Sequence, residues 1–433
     1  MTQQIILLCI FVLFLLLVFV FKQPLPRAAI TLPVLLEITG ILNFKEAWTG
    51  LANNSVVTAF AMMIIAEGIN KTGIVAKVSA KVLKPNASDF QILLAMSIPA
   101  VIIMQISAGI ACVAIMYPII VQICAQQKRP LSKFIFPFCI IIAASASMLP
   151  IGSTAASYLR HNAVIESVGG IGEYTYFTNT LVKLPFSIIH WIIAFTLGLK
   201  MSPDLGNIPT LDDIQESKGI AGRVPKQKLD DKKVKIAIVL FVLTIVGILF
   251  CALTKIGQVY MPACVGAILM VVCGVMSDRE AMNAGANPML LTIIGILPLA
   301  TAITKTGANE VLCNAFNSIA GGMSAFWVMM FMYVICTIFT QFLSNSAVSS
   351  IFALLAAVIA VGNGWAATPL YLAAMQGCGN SYLLPTAVNT NSMMYQFGGY
   401  TVKDWMKQGW VYTIVDVFIF AVWVPFLFPL TAA

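Results

Sequence analysis

Hydrophobic residues fill this chain in long blocks, and polar residues interrupt them only at intervals. Ten blocks are long enough to cross a bilayer, because about 20 helical residues span the hydrocarbon layer. The predicted spans cover about 4–21, 28–42, 53–70, 134–157, 178–199, 234–253, 258–276, 287–304, 366–395 and 410–430. This pattern predicts an all-α polytopic membrane protein with about ten transmembrane helices.

Two further apolar stretches, 90–125 and 323–362, each carry a polar or glycine-containing interruption near the middle. The interruptions begin at Gln105 and at Gln341. Irregular backbone is tolerated at membrane depth only where protein or water surrounds it. We therefore interpret both stretches as re-entrant hairpins, each of which returns to the side of the membrane from which it entered.

The distribution of charge supports this topology. Hydrophobic residues make up 60% of the 433 residues, and charged residues only 10%. With the N-terminus outside, the loops predicted to be inside hold 20 of the 25 Lys and Arg residues, as the positive-inside rule requires. Both termini are then predicted to be outside, the stretch 200–235 forms a cytoplasmic linker, and the two hairpins open to opposite sides.

Short motifs recur in the two halves of the chain. Ile-Asn-Lys-Thr-Gly ends at Gly73, and Ile-Thr-Lys-Thr-Gly ends at Gly307. A Leu-Pro pair at Pro150 has a counterpart at Pro385, and a Gly-Gly pair follows each of them. Recurrence after roughly the same interval indicates an internal repeat. Together with the opposite hairpin orientations, it predicts two inverted-topology repeats, the arrangement of many secondary transporters.

These motifs divide the chain into five predicted regions. Scaffold helices open each half, and each repeat contains one hairpin and one broken helix. The regions are 1–52 (N-terminal scaffold helices), 53–199 (first repeat, with hairpin 90–125 and a broken helix near 150–156), 200–235 (linker), 236–286 (scaffold helices) and 287–433 (second repeat, with hairpin 323–362 and a broken helix near 385–391).

The hairpin tips and helix breaks offer neutral oxygen atoms and no charged side chain. A proline inside an apolar helix removes a backbone hydrogen bond, as at Pro150 and Pro385. Carbonyl groups freed in this way can coordinate Na⁺, and half-helix N-termini can bind an anion. The breaks therefore predict a site where neutral oxygen atoms bind a cation and the dipoles of half-helix N-termini bind an anion. The alternative is that their Ser and Asn side chains only bond neighbouring helices.

Few other residues suggest chemistry. Glu37 and Glu67 lie in apolar segments, where acids are candidates for ion coupling. A position at the interface also explains Glu37, and an i,i+4 pair with Lys71 explains Glu67. His161 and His190 have no partner at a recognisable spacing. The sequence contains no catalytic motif and no P-loop, so we expect a protein that is not an enzyme and is driven by a gradient or by exchange.

At these residues the sequence resembles the divalent anion/sodium symporter family of the wider ion transporter superfamily. The likeness covers nearly the whole chain and is most evident at 44–50, 66–73, 344–347 and 398–405. It implies a dimer in which a scaffold domain holds the interface and a transport domain moves substrate and ions like an elevator. It also implies di- or tricarboxylate or sulfate substrates, usually with Na⁺.

The same resemblance implies which residues bind. A first Na⁺ site would use Ser107 and the backbone of Gly152, and a second would use Thr340, Asn345 and the backbone of Ala387. The residues implied at the anion are Ser107, Ser153, Asn345, Ser346 and Val388. The first tip reads Ser-Ala-Gly where the family has Ser-Asn-Thr, and the Pro-Pro-Asn that follows each break in the family is missing. The second Na⁺ site thus matches the family more completely.

The leading hypothesis is a secondary transporter of the bacterial inner membrane that carries a small anion, a di- or tricarboxylate, together with Na⁺. Its expected partners are the anion, Na⁺ as a transported ion, the lipid bilayer and a second copy of the chain, and we expect no nucleic acid. Anion exchange, sulfate transport, and arsenite or Na⁺/H⁺ antiport remain alternatives within the superfamily. A channel or an intramembrane enzyme would be an alternative from another class.

Overall fold

The computed structural model describes most of the chain, and it is helical wherever long apolar blocks occur. The described residues are 2–21, 23–72, 87–106, 109–150, 157–210, 213, 230–254, 256–258, 260–285, 288–308, 311, 314, 318, 322–343 and 345–431. The predictions at Ser107, Gly152, Ser153 and Gly73 lie outside them.

The first half contains nine α-helices of four or more residues within the described residues. They are α1 (Thr2–Leu15), α2 (Leu25–Ile38), α3 (Phe44–Ala47), α4 (Asn54–Asn70), α5 (Asp89–Ile106), α6 (Gly109–Gln127), α7 (Ile135–Ser145), α8 (Ser157–Ser167) and α9 (Thr178–Ile193). A π-helical turn at Ala194–Gly198 extends α9 into a short helix, Leu199–Met201.

The second half also contains nine helices within the described residues. They are α10 (Asp231–Thr254), α11 (Tyr260–Val272), α12 (Asp278–Gly285), α13 (Pro288–Thr306), α14 (Ala325–Thr340), α15 (Asn345–Gly362), α16 (Ala367–Gly379), α17 (Asn389–Gly398) and α18 (Val402–Leu427).

The predicted all-helical architecture is confirmed, and each predicted span coincides with helix over most of its described length. Three described helical segments are long and apolar enough to cross a bilayer: Thr178–Met201, Asn345–Gly362 and Val402–Leu427. Several further apolar helices, among them Ile135–Ser145 and Ala325–Thr340, are shorter, at 10 to 17 residues. The count of ten spans stays a prediction.

The chain reverses direction in both stretches that were interpreted as hairpins. In the first, the thiol of Cys112 in α6 lies 3.8 Å from the carbonyl oxygen of Ala100 in α5. In the second, the rings of Phe339 in α14 and Phe352 in α15 stack with their centroids 5.5 Å apart. An unbroken helix would separate such residues by about 18–20 Å, at 1.5 Å per residue. Neither stretch is therefore a single straight helix.

Two ion pairs connect the two halves. In each pair the lysine comes from one half and the glutamate from the other. Lys71, at the end of α4, donates to both carboxylate oxygens of Glu280 at 2.8 Å, a partner that the spacing to Glu67 did not predict. Lys305, near the end of α13, donates to Glu46 at 2.6 Å. The two lysines are 234 residues apart, and so are the two glutamates. The two halves thus make the same contact in both directions, as symmetric partners do.

Candidate functional site

Hydrogen bonds between side chains and to a backbone carbonyl hold the tip of the second hairpin in place. The hydroxyl of Thr340, the last residue of α14, donates to the side-chain oxygen of Asn345, the first residue of α15. The same hydroxyl lies 3.1 Å from the carbonyl oxygen of Cys378 in α16. The side-chain nitrogen of Asn345 lies 3.5 Å from the hydroxyl of Ser381. The tip therefore gathers neutral oxygens beside the end of α16.

The second helix break lies next to this tip. Helix α16 ends at Gly379, and α17 begins at Asn389, so the residues around Pro385 are unwound. The side chain of Asn391 donates to the carbonyl oxygen of Ser381 at 2.8 Å. The indole of Trp405 in α18 donates to the carbonyl oxygen of Tyr382 at 3.0 Å. Side chains of the surrounding helices thus satisfy backbone groups that the break leaves free, as burial requires.

Gly409 allows α18 to lie directly against this break. A Cβ atom at this position would lie 2.2 Å from the carbonyl oxygen of Tyr382. We expect Gly409→Ala to lower the free energy of unfolding by about 1–3 kcal/mol, because overpacking forces the backbone apart. Thermal unfolding of the purified protein measures this. Gly379→Ala is the control, since nothing lies within 4 Å of the added atom. Equal melting temperatures for the two variants would contradict the prediction.

Two glutamines occupy matching positions in the two halves. Each one bridges the hairpin of its half to a helix break. In the first half, Gln105 of α5 donates to the carbonyl oxygen of Ser145 at 2.9 Å, and its oxygen accepts the N–H of Leu149 at 3.1 Å. In the second half, Gln341 donates to the carbonyl oxygen of Asn380 at 2.8 Å. Its oxygen likewise accepts a backbone N–H from the break, at 3.1 Å.

Both hairpins, the end of α7 and the second break border one cavity of about 320 Å³. Its walls come from α5, α6, α7, α9, α15, α16, α17 and α18, together with the unwound segment between α16 and α17. The polar residues among those that line it are Lys183, Ser187, His190, Asn345, Gln376, Ser381, Tyr382, Thr390, Asn391 and Asp416. The fold therefore gathers hydroxyl, amide and charged groups from both halves around one space.

Lys183 is the only Lys or Arg among the described residues that line the cavity. Its ammonium donates to the carbonyl oxygen of Ala146, just beyond the end of α7, at 2.8 Å. One turn further along α9, the hydroxyl of Ser187 donates to the carbonyl oxygen of Ala144 at 2.7 Å. The lysine therefore stabilises a helix C-terminus and can also offer two further N–H donors to the cavity.

A buried histidine and a buried aspartate lie in contact on the cavity wall. The Nε2 atom of His190 lies 2.8 Å from a carboxylate oxygen of Asp416, and the two residues are 1% and 4% exposed. The rings of Tyr382 and Tyr412 meet the imidazole edge-on, with centroids 5.2 and 5.3 Å away. His190 therefore has the acidic partner that the sequence spacing did not reveal. This acid belongs to the cavity, although the helix breaks themselves carry none.

Some of these residues left signals in the sequence. Lys183 and His190 are seven residues apart, two helical turns, and so share one face of α9. Asp416 stands in the apolar core of a predicted span, where an acid is a functional candidate. Neither signal shows that the three side chains meet, because α9 and α18 lie more than two hundred residues apart.

Five of the site residues predicted from the sequence are described by the structure, and they lie at different distances from the cavity. Asn345 and Val388 line it, and Thr340 lies behind Asn345 with no exposed surface. Ala387 is buried within the unwound segment, next to Val388. Ser346 is exposed at the start of α15 and is not among the lining residues.

The other residues noted from the sequence lie elsewhere. The indole of Trp48 donates to the carboxylate of Glu37 at 2.9 Å, which gives that acid a structural partner. The Nδ1 atom of His161 lies 2.9 Å from the hydroxyl of Tyr371, between α8 and α16. Glu37, Glu67 and His161 are not among the residues that line the cavity just described.

Known proteins share parts of this sequence. An uncharacterized transporter of Methanocaldococcus jannaschii is 22% identical over 399 residues, which cover 91% of this chain and 87% of that protein. An uncharacterized transporter of Synechocystis sp. is 25% identical over 188 residues, which span 43% of this chain and only 30% of that protein. Sodium/sulfate cotransporter 1 of Chlamydomonas reinhardtii is 28% identical over 148 residues, 33% of this chain and 16% of that protein.

Two solved structures share the fold. The YdaH transporter of Alcanivorax borkumensis superposes with a TM-score of 0.63 at 13% identity, covering 90% of this chain and 89% of its own. MtrF of Neisseria gonorrhoeae, described with a class of antimetabolite efflux pumps, gives a TM-score of 0.63 at 14% identity over 90% and 84% of the chains. The fold is therefore one that transport proteins adopt.

The family model described as citrate transporter matches residues 7–377, which is most of the chain. This agrees with the resemblance to the ion transporter superfamily and with the apolar helices of a multi-pass membrane protein. The protein therefore belongs to the citrate transporter family.

Proposed function

We propose that this protein is a secondary active transporter that carries a small anion, a di- or tricarboxylate, through the cavity between the two hairpins. The observation that carries the proposal is the ammonium of Lys183, which lines the cavity together with hydroxyl and amide groups. Hydrogen bonds from an ammonium to a carboxylate are about twice as strong as neutral ones. The volume of about 320 Å³ suits a small metabolite.

Sodium is the coupling ion in this proposal. The side-chain oxygens of Thr340 and Asn345 and the carbonyl oxygen of Cys378 lie together at the second tip. Neutral oxygens at a helix break are the ligands that transporters offer to Na⁺. The Chlamydomonas relative is a sodium/sulfate cotransporter by name, which favours the same ion and keeps sulfate as an alternative substrate.

The matched contacts of the two halves support an elevator movement between inverted repeats. The two glutamines are 236 residues apart, and their carbonyl partners Ser145 and Asn380 are 235 apart. The exchanged ion pairs repeat at 234 residues. In this proposal the protein is a homodimer of the bacterial inner membrane, with both termini outside and 200–235 in the cytoplasm.

Proton coupling is a second candidate, and a specific observation favours it. His190 and Asp416 form a buried contact at 2.8 Å on the cavity wall. Histidine changes charge near physiological pH, and paired acids and histidines form proton relays in membrane proteins. A proton entering this pair would lower the negative charge that the cavity presents to an anion.

Transport by purified protein in proteoliposomes tests the proposal. We expect an inward Na⁺ gradient to increase uptake of labelled citrate or succinate several-fold over a K⁺ gradient. Asn345→Ala should raise the Na⁺ concentration needed for half-maximal uptake by about tenfold, because it removes a ligand worth about one hydrogen bond to a charged group. Asn363→Ala, at the other end of α15, is the matched control.

Each result decides between the candidates. Equal uptake with and without the Na⁺ gradient would show that sodium symport is wrong. Uptake driven by a pH gradient alone would favour the His190–Asp416 pair as the coupling group. Uptake of sulfate, with no uptake of any carboxylate, would show that sulfate is the substrate and that the proposed substrate class is wrong.

A further inference from the structure

Gln341 makes three hydrogen bonds, and two of them join the second hairpin to the second break. Its side-chain nitrogen donates to the carbonyl oxygen of Thr337, one turn back in α14, at 3.0 Å. The same nitrogen donates to the carbonyl oxygen of Asn380, which follows the end of α16, at 2.8 Å. Its oxygen accepts the N–H of Leu384 at 3.1 Å. The residue is 3% exposed, so water does not compete for these bonds.

Gln105 makes the corresponding three bonds in the first half. Its nitrogen donates to the carbonyl oxygen of Val101, one turn back in α5, at 3.1 Å. It also donates to the carbonyl oxygen of Ser145, the last residue of α7, at 2.9 Å. Its oxygen accepts the N–H of Leu149 at 3.1 Å. The position, the partners and the distances match those of Gln341.

A side-chain amide suits this position for a physical reason. Where a helix ends inside the bilayer, a carbonyl oxygen and an N–H four residues further on both lose their helical partners. Only a group that donates and accepts at the same time can satisfy both, and a carboxamide does so with its two ends. An ionised carboxylate could accept but not donate, and an apolar side chain could do neither.

We propose that Gln105 and Gln341 are positioning residues that clamp each hairpin tip to the helix break of its own half. Each tip and its break then move as one body, and neither hairpin opens as an independent gate. The consequence for transport rests on the proposed function above, whereas the clamp itself does not depend on the substrate.

The two clamps act on different groups of the cavity. Gln341 fixes Asn380 beside Ser381 and the Thr340–Asn345 tip, which holds the oxygens proposed for Na⁺. Gln105 fixes Ser145, and the next carbonyl, of Ala146, accepts the bond from Lys183. Loss of the first clamp should therefore affect the cation, and loss of the second should affect the anion.

Hydrogen exchange of the purified full-length protein tests the clamp without any substrate. In Gln341→Leu we expect the amide of Leu384 and those of the second tip to exchange at least about tenfold faster, while Leu149 stays unchanged. Gln105→Leu should show the reverse pattern. Gln396→Leu, an exposed glutamine of α17, is the control. If a Leu variant does not fold, the corresponding Glu variant replaces it, since it keeps the acceptor and loses the donor.

Uptake kinetics of the same variants give the second readout. Gln341→Leu should raise the half-saturating Na⁺ concentration about tenfold with little change in the KM for the anion, and Gln105→Leu should do the opposite. Unchanged exchange at the tip and the break would overturn the clamp. Faster exchange at the break without any change at the tip would show that the two do not move together, and would also overturn it. Changed exchange in a protein that transports no anion would leave the clamp standing and refute the proposed function.

Discussion

Replacement of Lys183 by Met should raise the KM for a carboxylate substrate by at least about thirtyfold. Removing one partner of a buried, hydrogen-bonded charge pair costs about 2–5 kcal/mol, and tenfold corresponds to about 1.4 kcal/mol. Lys183 is the only Lys or Arg among the described residues that line the cavity, so no other described cation there can replace it. Initial uptake rates over a range of anion concentrations measure the effect.

Two comparisons separate this role from a structural one. Lys183→Arg keeps the charge and should retain much of the affinity. Lys407→Met removes an exposed lysine of α18 and should change nothing. If Lys183 only caps the end of α7, then Lys183→Met will lower the melting temperature and leave KM at the wild-type value. That result would remove the proposed anion contact.

Asp416→Asn should reduce the maximal rate of uptake at least about tenfold and abolish any response to a pH gradient. The change keeps the shape of the side chain but removes the charge that faces His190 at 2.8 Å in a buried site. It also removes the acidic group that could exchange a proton with His190, so we expect the coupled transport step to slow. Uptake under separate Na⁺ and pH gradients measures both effects.

A double variant shows whether the two side chains act together. If they form one unit, His190→Gln combined with Asp416→Asn should be no worse than either single change. Asp278→Asn, which removes an exposed acid in the first turn of α12, is the control for charge alone. Additive losses from the two single changes would show that His190 and Asp416 act independently, against the pair as a coupling group.

The helices were predictable from sequence because a helix that crosses a bilayer requires a long block of apolar residues. Blocks of apolar residues predicted α4 at 53–70 and α10 at 234–253, and these helices occupy Asn54–Asn70 and Asp231–Thr254. The reversals at both hairpins followed from polar interruptions that no straight lipid-facing helix would tolerate. The tip residues Thr340 and Asn345 were identified from family resemblance, and the structure places them in contact.

The charged wall of the cavity could not be derived in the same way. Lys183 lies near the end of a predicted span, where a lysine ordinarily reaches the membrane surface. Only the packing of α9 against α7 turns it toward the carbonyl oxygen of Ala146. The contact between His190 and Asp416 depends on how α9 meets α18, and residue spacing does not encode that. Nor did spacing reveal that Lys71 meets Glu280 of the other half.

The exchanged ion pairs have a consequence for ancestry. A chain of half this length, with one lysine and one glutamate at the equivalent positions, would form both bonds with a second molecule of itself. Gene duplication and fusion would then turn two intermolecular bonds into the present Lys71–Glu280 and Lys305–Glu46 pairs. After fusion, a charge reversal at either lysine can be compensated only by a mutation in the opposite half, so the two halves must evolve in concert.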